Sequence, residues 1–93
     1  MLNMEIEKSH IVRAVAGRER GGYYFVTEVG EGYALLADGK SRRLDRPKRK
    51  NLKHIRYAGR PDSDTAGAIC AGTATDKMLI RALAAFRTAG QTK

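Results

Sequence analysis

The chain has 93 residues, 42% of them hydrophobic, which is enough for one small domain with a modest core. Its 18 Lys and Arg residues outnumber 10 acidic residues, and the resulting formal net charge of +8 favours a polyanionic partner. The single cysteine, Cys70, excludes an intrachain disulfide and a cysteine-based metal cluster. The N-terminus lacks the apolar run of a signal peptide, and no apolar stretch is long enough to span a bilayer. We therefore expect a cytoplasmic protein with no membrane partner.

The first half of the chain shows the pattern of short antiparallel strands. Residues 11–15 are rich in β-branched types and predict a strand, and the glycine-rich residues 17–22 predict a turn. Residues 23–29, dense in aromatic and β-branched side chains, predict a second strand. A third strand is predicted at residues 33–38, and the short connection at residues 30–32 makes these two strands an antiparallel hairpin.

Two further strands are predicted after a turn at Asp38-Gly39-Lys40. One covers residues 42–45 and is ended by Pro47, which cannot donate to a ladder, and residues 48–50 are assigned to a loop. The last covers residues 52–57. Five short strands joined by short turns predict a mainly β protein with a small five-stranded barrel, which closes its own edges.

The composition changes after the predicted barrel. We divide the chain into an N-terminal segment (residues 1–8), the barrel (9–58), a linker (59–75) with a short helical turn at residues 66–70, and a C-terminal helix (76–89). Thr73 or Thr75 is expected to cap that helix. Leu79, Leu83 and Phe86 form an apolar stripe at helical spacing, broadened by Met78, Ala82 and Ala85. Because so short a helix is marginal alone, we expect the stripe to dock on the barrel.

The positive charge is concentrated in one segment. Between Lys40 and Arg60 there are ten basic residues, and Asp45 is the only acid. The rest of the chain is nearly balanced, so the whole excess lies in this patch. Leu44, Leu52 and Ile55 interleave with the charges and favour a folded surface over a disordered basic tract, which is the alternative. A local field of this kind is typical of nucleic-acid binding.

The segment Gly17-Arg18-Glu19-Arg20-Gly21, flanked by the two predicted strands, resembles the KOW motif. The similarity extends through residues 33–39, the basic run and Asn51-Leu52-Lys53-His54-Ile55 to the KOW proteins of the archaeal and eukaryotic large ribosomal subunit, and to short bacterial KOW proteins. It covers about residues 9–57. The resemblance implies an SH3-like barrel with a C-terminal helix that binds RNA, often ribosomal RNA. The usual Lys before the second Gly of the motif is replaced by Arg20, which keeps the charge but changes the donor geometry.

RNA is preferred over DNA chiefly because of this resemblance. The candidate RNA-binding residues are Arg18, Arg20, Lys40, Arg42, Arg43, Arg46, Lys48, Arg49, Lys50, Lys53 and His54. Either Tyr23 or Tyr24 is also a candidate for stacking on bases, because adjacent strand residues point to opposite faces. Expected partners are ribosomal RNA and, beside it, ribosomal proteins or other translation and transcription components.

Two other classes of function are open from the residues. One is a protein-interaction adaptor that uses the Leu79/Leu83/Phe86 stripe, and the other is non-specific DNA binding. The acids are scattered, and no phosphate-binding loop or metal-ligand spacing is present, so we expect neither an enzyme, nor a cofactor, nor a metal site.

Overall fold

The computed structural model describes residues 6–91. The strands are β1 (Ile11–Ala14), β2 (Tyr23–Val29), β3 (Tyr33–Ala37), β4 (Lys48–Asn51) and β5 (Ile55–Gly59), and the helices are α1 (Ser63–Ala71) and α2 (Asp76–Gln91). A short 3-10 helix, Leu52–His54, connects β4 to β5. The first five residues of the predicted N-terminal segment lie outside the described part of the chain.

The five strands form one antiparallel sheet in the order β4-β3-β2-β1-β5. The first and last strands of this order, β4 and β5, are joined directly by the 3-10 helix, so the sheet curves until its two edges approach each other. The amide of Leu52 donates to Gly32 O at 3.0 Å, and the amide of Val15 donates to His54 O at 2.9 Å, which fastens the connection at both ends. The predicted mainly β, small barrel-like fold is confirmed.

The inside of the barrel is a compact apolar cluster. Alternate residues of each strand point inward, and the buried set is Val12, Ala14, Tyr24, Val26, Ala34, Leu36 and Ile55. Tyr24 is the inward member of the Tyr23–Tyr24 pair, and Tyr23 lies on the outer face.

The outer face of β1 and β2 is covered by the helices. Ile11, Phe25 and Ala37 pack there against Ile69 of α1 and against Leu79 and Leu83 of α2. The predicted docking of the C-terminal helix is therefore confirmed, and Leu79 and Leu83 are almost fully buried. Burial of a Leu side chain is worth roughly 1.5–3 kcal/mol, which is what holds this short helix in place.

The predicted boundaries after residue 38 need correction. No strand forms at residues 42–45, because Asp38 Oδ1 accepts the amides of Lys40 (2.9 Å) and Arg42 (2.8 Å) and folds this part into turns. The fourth strand is Lys48–Asn51, where a loop was predicted, and residues 52–54 are 3-10 helix rather than strand.

The linker predicted at residues 59–75 contains a complete helix, α1. Asp62 caps it by accepting the amide of Thr65 at 3.1 Å, and Gly72 ends it in the left-handed conformation. Of the two proposed caps for α2, Thr75 is correct, since its hydroxyl accepts the amide of Met78 at 3.2 Å.

Candidate nucleic-acid interface

The turn between β1 and β2 is a compact structure built around two of its glycines. Gly17 has φ +81°, a left-handed conformation that only glycine adopts without strain. The amide of Gly21 donates to Ala14 O at 2.8 Å, and that of Gly22 donates to Glu19 O at 3.0 Å. This geometry points the Glu19 side chain back over the barrel, towards β4.

Glu19 is the centre of an ion-pair cluster at this end of the barrel. Its carboxylate accepts from Lys50 Nζ at 2.9 Å and from Arg42 Nη2 at 2.8 Å, and Lys48 Nζ lies at 4.0 Å. Only 8% of the Glu19 side chain is exposed. The hydrogen bonds from Lys50 and Arg42 lower the pKa of Glu19 to about 2. Glu19 therefore ties the β1–β2 turn to β4 and to the β3–β4 connection.

The Glu19 cluster has a consequence for the neighbouring arginines. Arg18 and Arg20 flank Glu19 in the chain and are exposed, so the turn that Glu19 ties to β4 and to the β3–β4 connection also carries these two cations. The last residue of the 3-10 helix joins this end as well, because His54 O accepts the amide of Val15 just before the turn. We call residues 17–22, 38–47 and 52–54 together the basic rim.

The β3–β4 connection presents some of its cations to solvent and uses others internally. Lys40 and Arg46 are exposed. Arg43 Nε lies 3.5 Å from Asp76 Oδ2 at the start of α2, and the other oxygen of Asp76 accepts the amide of Leu44 at 2.8 Å. Residues 43 and 44 thus anchor the connection to the start of α2, and the cations before and after them, Lys40 and Arg46, are exposed to solvent.

The three cations of strand β4 are divided between its two faces, because successive residues of a strand point to opposite sides. Lys48 and Lys50 point towards Glu19, and the Lys50 side chain is only 9% exposed. Arg49 points to the other face, where its guanidinium lies 4.0 Å from the centre of the Tyr33 ring. A cation–π contact of this kind at an exposed site is worth roughly 0.5–1 kcal/mol and leaves the guanidinium edge free to bind an anion.

The predicted residues therefore fall into two groups. Four of them are engaged by carboxylates: Arg42, Lys48 and Lys50 by Glu19, and Arg43 by Asp76. In the described part of the chain the others make no ion pair, and all are exposed: Arg18, Arg20, Lys40, Arg46, Arg49, Lys53 and His54. Their role in binding RNA stays a prediction.

Two arginines outside the predicted set extend the positive surface. Arg13 of β1 and Arg56 of β5 are directly opposed across the sheet, and both are exposed. Like charges in this position are unfavourable unless an anion lies nearby. Arg56 Nη1 donates to Lys53 O at 3.0 Å and so lies against the 3-10 helix. The strand register that opposes them cannot be read from local sequence, which is why they were missed.

The aromatic candidates are mostly structural. Tyr24 is inside the barrel, and Tyr23 packs edge-on against Phe86, with 5.6 Å between ring centres. Tyr33 is covered on one face by Arg49. These contacts leave electrostatic attraction and guanidinium hydrogen bonds as the main chemistry that the rim offers to a ligand.

No protein-family model matches the chain, and no curated protein sequence is significantly similar to it. Within residues 6–91, no three His, Cys, Asp or Glu side chains are grouped so that they could hold a metal ion. The same residues include no helix with the length and apolar character needed to cross a bilayer.

Proposed function

We propose that the protein binds structured RNA through the basic rim, with ribosomal or ribosome-associated RNA as the target class. The observation that supports this most is the division of charge around Glu19. One carboxylate fixes the positions of three cations, and the exposed arginines and lysines beside them carry no carboxylate partner in the described chain. Unpaired cations held on a rigid frame attract a phosphate backbone at little ordering cost.

The type of side chain also favours phosphate. Arg18, Arg20 and Arg46 of the rim, together with Arg49 of the adjoining strand β4, present planar guanidinium groups, which can bind two phosphate oxygens at once. Such contacts position the protein on an RNA backbone without reading its sequence. The preference for RNA rests on the resemblance of residues 9–57 to the KOW proteins, which implies an RNA ligand.

The apolar stripe of α2, which was the surface expected for an adaptor function, is largely buried. Leu79 and Leu83 are buried against Ile11 and Phe25, so an adaptor would have to use another part of the chain. Non-specific DNA binding uses the same cations, and it is distinguished by competition between structured RNA and duplex DNA.

The test compares two triple variants with the same change in charge. R18Q/R20Q/R46Q removes exposed cations from the rim, and K77Q/R81Q/R87Q removes exposed cations from α2. None of the six makes an ion pair in the described chain, so both variants should keep the fold. We expect the rim variant to bind a ribosomal RNA fragment at least about tenfold more weakly than the wild type, and the helix variant to change by less than about threefold. Equal loss in both variants would leave only a general effect of net charge and contradict a localised site.

A further inference from the structure

A separate cavity of about 380 Å³ lies between residues 7–10, the end of β5 and α1. Its lining includes Lys8, His10, Arg60, Ser63 and Cys70. Because Ile11 pairs with Gly59, this cavity lies at the end of β1 and β5 opposite to the β1–β2 turn. It is therefore distinct from the basic rim.

His10 is the buried polar group of this cavity, with 4% of its surface exposed. Its Nδ1 accepts the backbone amide of Glu7 at 3.0 Å, so the imidazole proton lies on Nε2. The Tyr57 ring packs edge-on against the imidazole, with 5.0 Å between ring centres, and fixes its plane. A turn with Ser9 at φ +79° holds the histidine in place.

His10 lines the cavity, and its Nε2–H group is unpaired in the described part of the chain. No described residue forms a hydrogen bond with Nε2, yet among the described side chains no nitrogen or oxygen closed off from solvent lacks a partner. Nε2 is therefore accessible to solvent, and the cavity is the space that His10 lines. This nitrogen is a donor fixed in position with no acceptor among the described residues.

The groups around Nε2 favour an anion. Arg60 lines the cavity together with His10, is exposed and makes no ion pair in the described chain. Ser63 adds a hydroxyl, and Lys8 adds an ammonium that is only loosely paired with Glu28 at 4.0 Å. Glu7 is the one carboxylate of the lining and is exposed, whereas Asp62 is turned into its helix cap.

We propose that this cavity binds a small phosphate monoester, with its phosphate on His10 Nε2–H and the Arg60 guanidinium. The cavity offers two cations, one N–H group and one hydroxyl as hydrogen-bond donors, but only one carboxylate as an acceptor. The excess of donors suits the three terminal oxygens of a phosphate monoester. A cavity of about 380 Å³ leaves room beside the phosphate for an organic group. The site is independent of the RNA-binding rim.

The experiment follows the backbone amide signals of Ser63 and Ala66 by NMR during titration with inorganic phosphate, adenosine 5′-monophosphate and adenosine, at constant ionic strength. His10→Asn is the informative variant, because its amide oxygen can still accept from Glu7 while its NH2 group is too short to reach the position of Nε2. Arg60→Gln removes the second phosphate contact. Lys77→Gln on α2 is the matched control, with the same loss of charge next to Asp76, which contacts Leu44 of the basic rim.

We expect saturable shifts with phosphate and the monophosphate, at least about tenfold weaker binding in His10→Asn and Arg60→Gln, and no change in Lys77→Gln. Burial lowers the pKa of His10; Glu7 raises it and Arg60 lowers it. A bound dianion should raise that pKa, which the imidazole signals report directly. Equal binding of adenosine and its monophosphate, or equal binding by all variants, would overturn the proposal.

Two further arms identify the source of the phosphate and separate this site from the rim. A short RNA with a 5′-phosphate that competes with the monophosphate, while its 5′-hydroxyl counterpart does not, would assign the site to RNA ends. A free monoester ligand predicts no competition from either RNA. The variant R18Q/R20Q/R46Q should bind the monophosphate like the wild type, and loss of binding there would contradict a separate site.

Discussion

Replacement of Glu19 by Gln tests the ion-pair cluster that holds the rim together. The change keeps the size of the side chain and one oxygen acceptor but removes the charge that faces Lys50 and Arg42. Lys50 is 9% exposed, so its ammonium would be left in a nearly buried position without a carboxylate. Removal of one partner of a buried pair is costly because the other charge stays desolvated.

The pKa of Glu19 sets the size of the effect. A fall from 4.5 to about 2 corresponds to roughly 3 kcal/mol at 1.36 kcal/mol per pH unit. Because Arg42 is partly exposed and Gln keeps an acceptor, we expect Glu19→Gln to lower the free energy of unfolding at pH 7 by about 2–3 kcal/mol. For a domain of this size that corresponds to a fall in Tm of roughly 10–20 °C.

The low pKa of Glu19 also makes its stabilisation of the fold depend on pH. The carboxylate of Glu19 has a lower pKa in the folded state, so its stabilisation is complete above pH 4.5 and is lost as the pH falls towards 2. The difference in unfolding free energy between the wild type and Glu19→Gln should therefore shrink over that window. Taking the difference cancels the titration of the other carboxyl groups, which both proteins share.

The assay is urea unfolding followed by circular dichroism between pH 2 and pH 7. Glu28→Gln is the matched control, because the Glu28 carboxylate is 61% exposed and lies 4.0 Å from Lys8. An exposed pair of this kind is worth less than about 1 kcal/mol. If Glu19→Gln were no less stable than Glu28→Gln at pH 7, or if its difference from the wild type did not change with pH, the cluster would not have the role assigned to it.

Three substitutions test the packing, each by urea unfolding. Gly17→Val should lower the free energy of unfolding by about 2 kcal/mol or more, because Gly17 has φ +81° and a Cβ there would lie 2.6 Å from Lys50 Nζ. An unchanged urea midpoint would contradict this. Gly39→Ala should lower the free energy of unfolding by about 2 kcal/mol or more, because Gly39 has φ +83° and a Cβ would collide with the Asp76 backbone. A stability equal to that of the wild type would show that α2 can shift freely. Leu83→Ala should lower the free energy of unfolding by about 2–5 kcal/mol, because Leu83 is only 1% exposed. A decrease of less than about 1 kcal/mol would mean that α2 contributes little to the core.

The sequence predicted best those elements whose pattern is local. Residues 23–29 are dense in aromatic and β-branched side chains, and β2 covers the same residues. The helical spacing of Leu79 and Leu83 predicted both α2 and its buried face, because an amphipathic stripe identifies the side of a helix that packs. These signals need no knowledge of the partner surface.

Strand β4 shows why the rest could not be predicted. Lys48-Arg49-Lys50 has the composition of a loop, and no neighbour in the sequence compensates its charge. It is a strand because Glu19, some thirty positions earlier, neutralises Lys48 and Lys50 from across the barrel while Arg49 packs on Tyr33. Local propensity is overridden here by a tertiary contact.

The candidate site, too, could be predicted from the sequence only in part. The basic residues were visible as a cluster, but the sequence did not show which of them would be engaged by carboxylates. Arg42 and Lys50 looked equivalent to Arg46 and Arg49, and only the fold of the β1–β2 turn separates them. Glu19 itself looked like an ordinary turn residue. Exposed acids in turns are common, and its role depends entirely on where the turn points.

The most direct test of the central claim is a titration of the wild-type protein with structured ribosomal RNA fragments over a salt series, with duplex DNA as competitor. If most of the six exposed Arg and Lys side chains of the predicted set contact phosphates, log affinity should fall with log salt at a slope of roughly −3 to −5. We expect one RNA fragment to remain bound in the presence of excess duplex DNA. A shallow slope, or equal affinity for the RNA and the DNA, would contradict RNA binding by the rim.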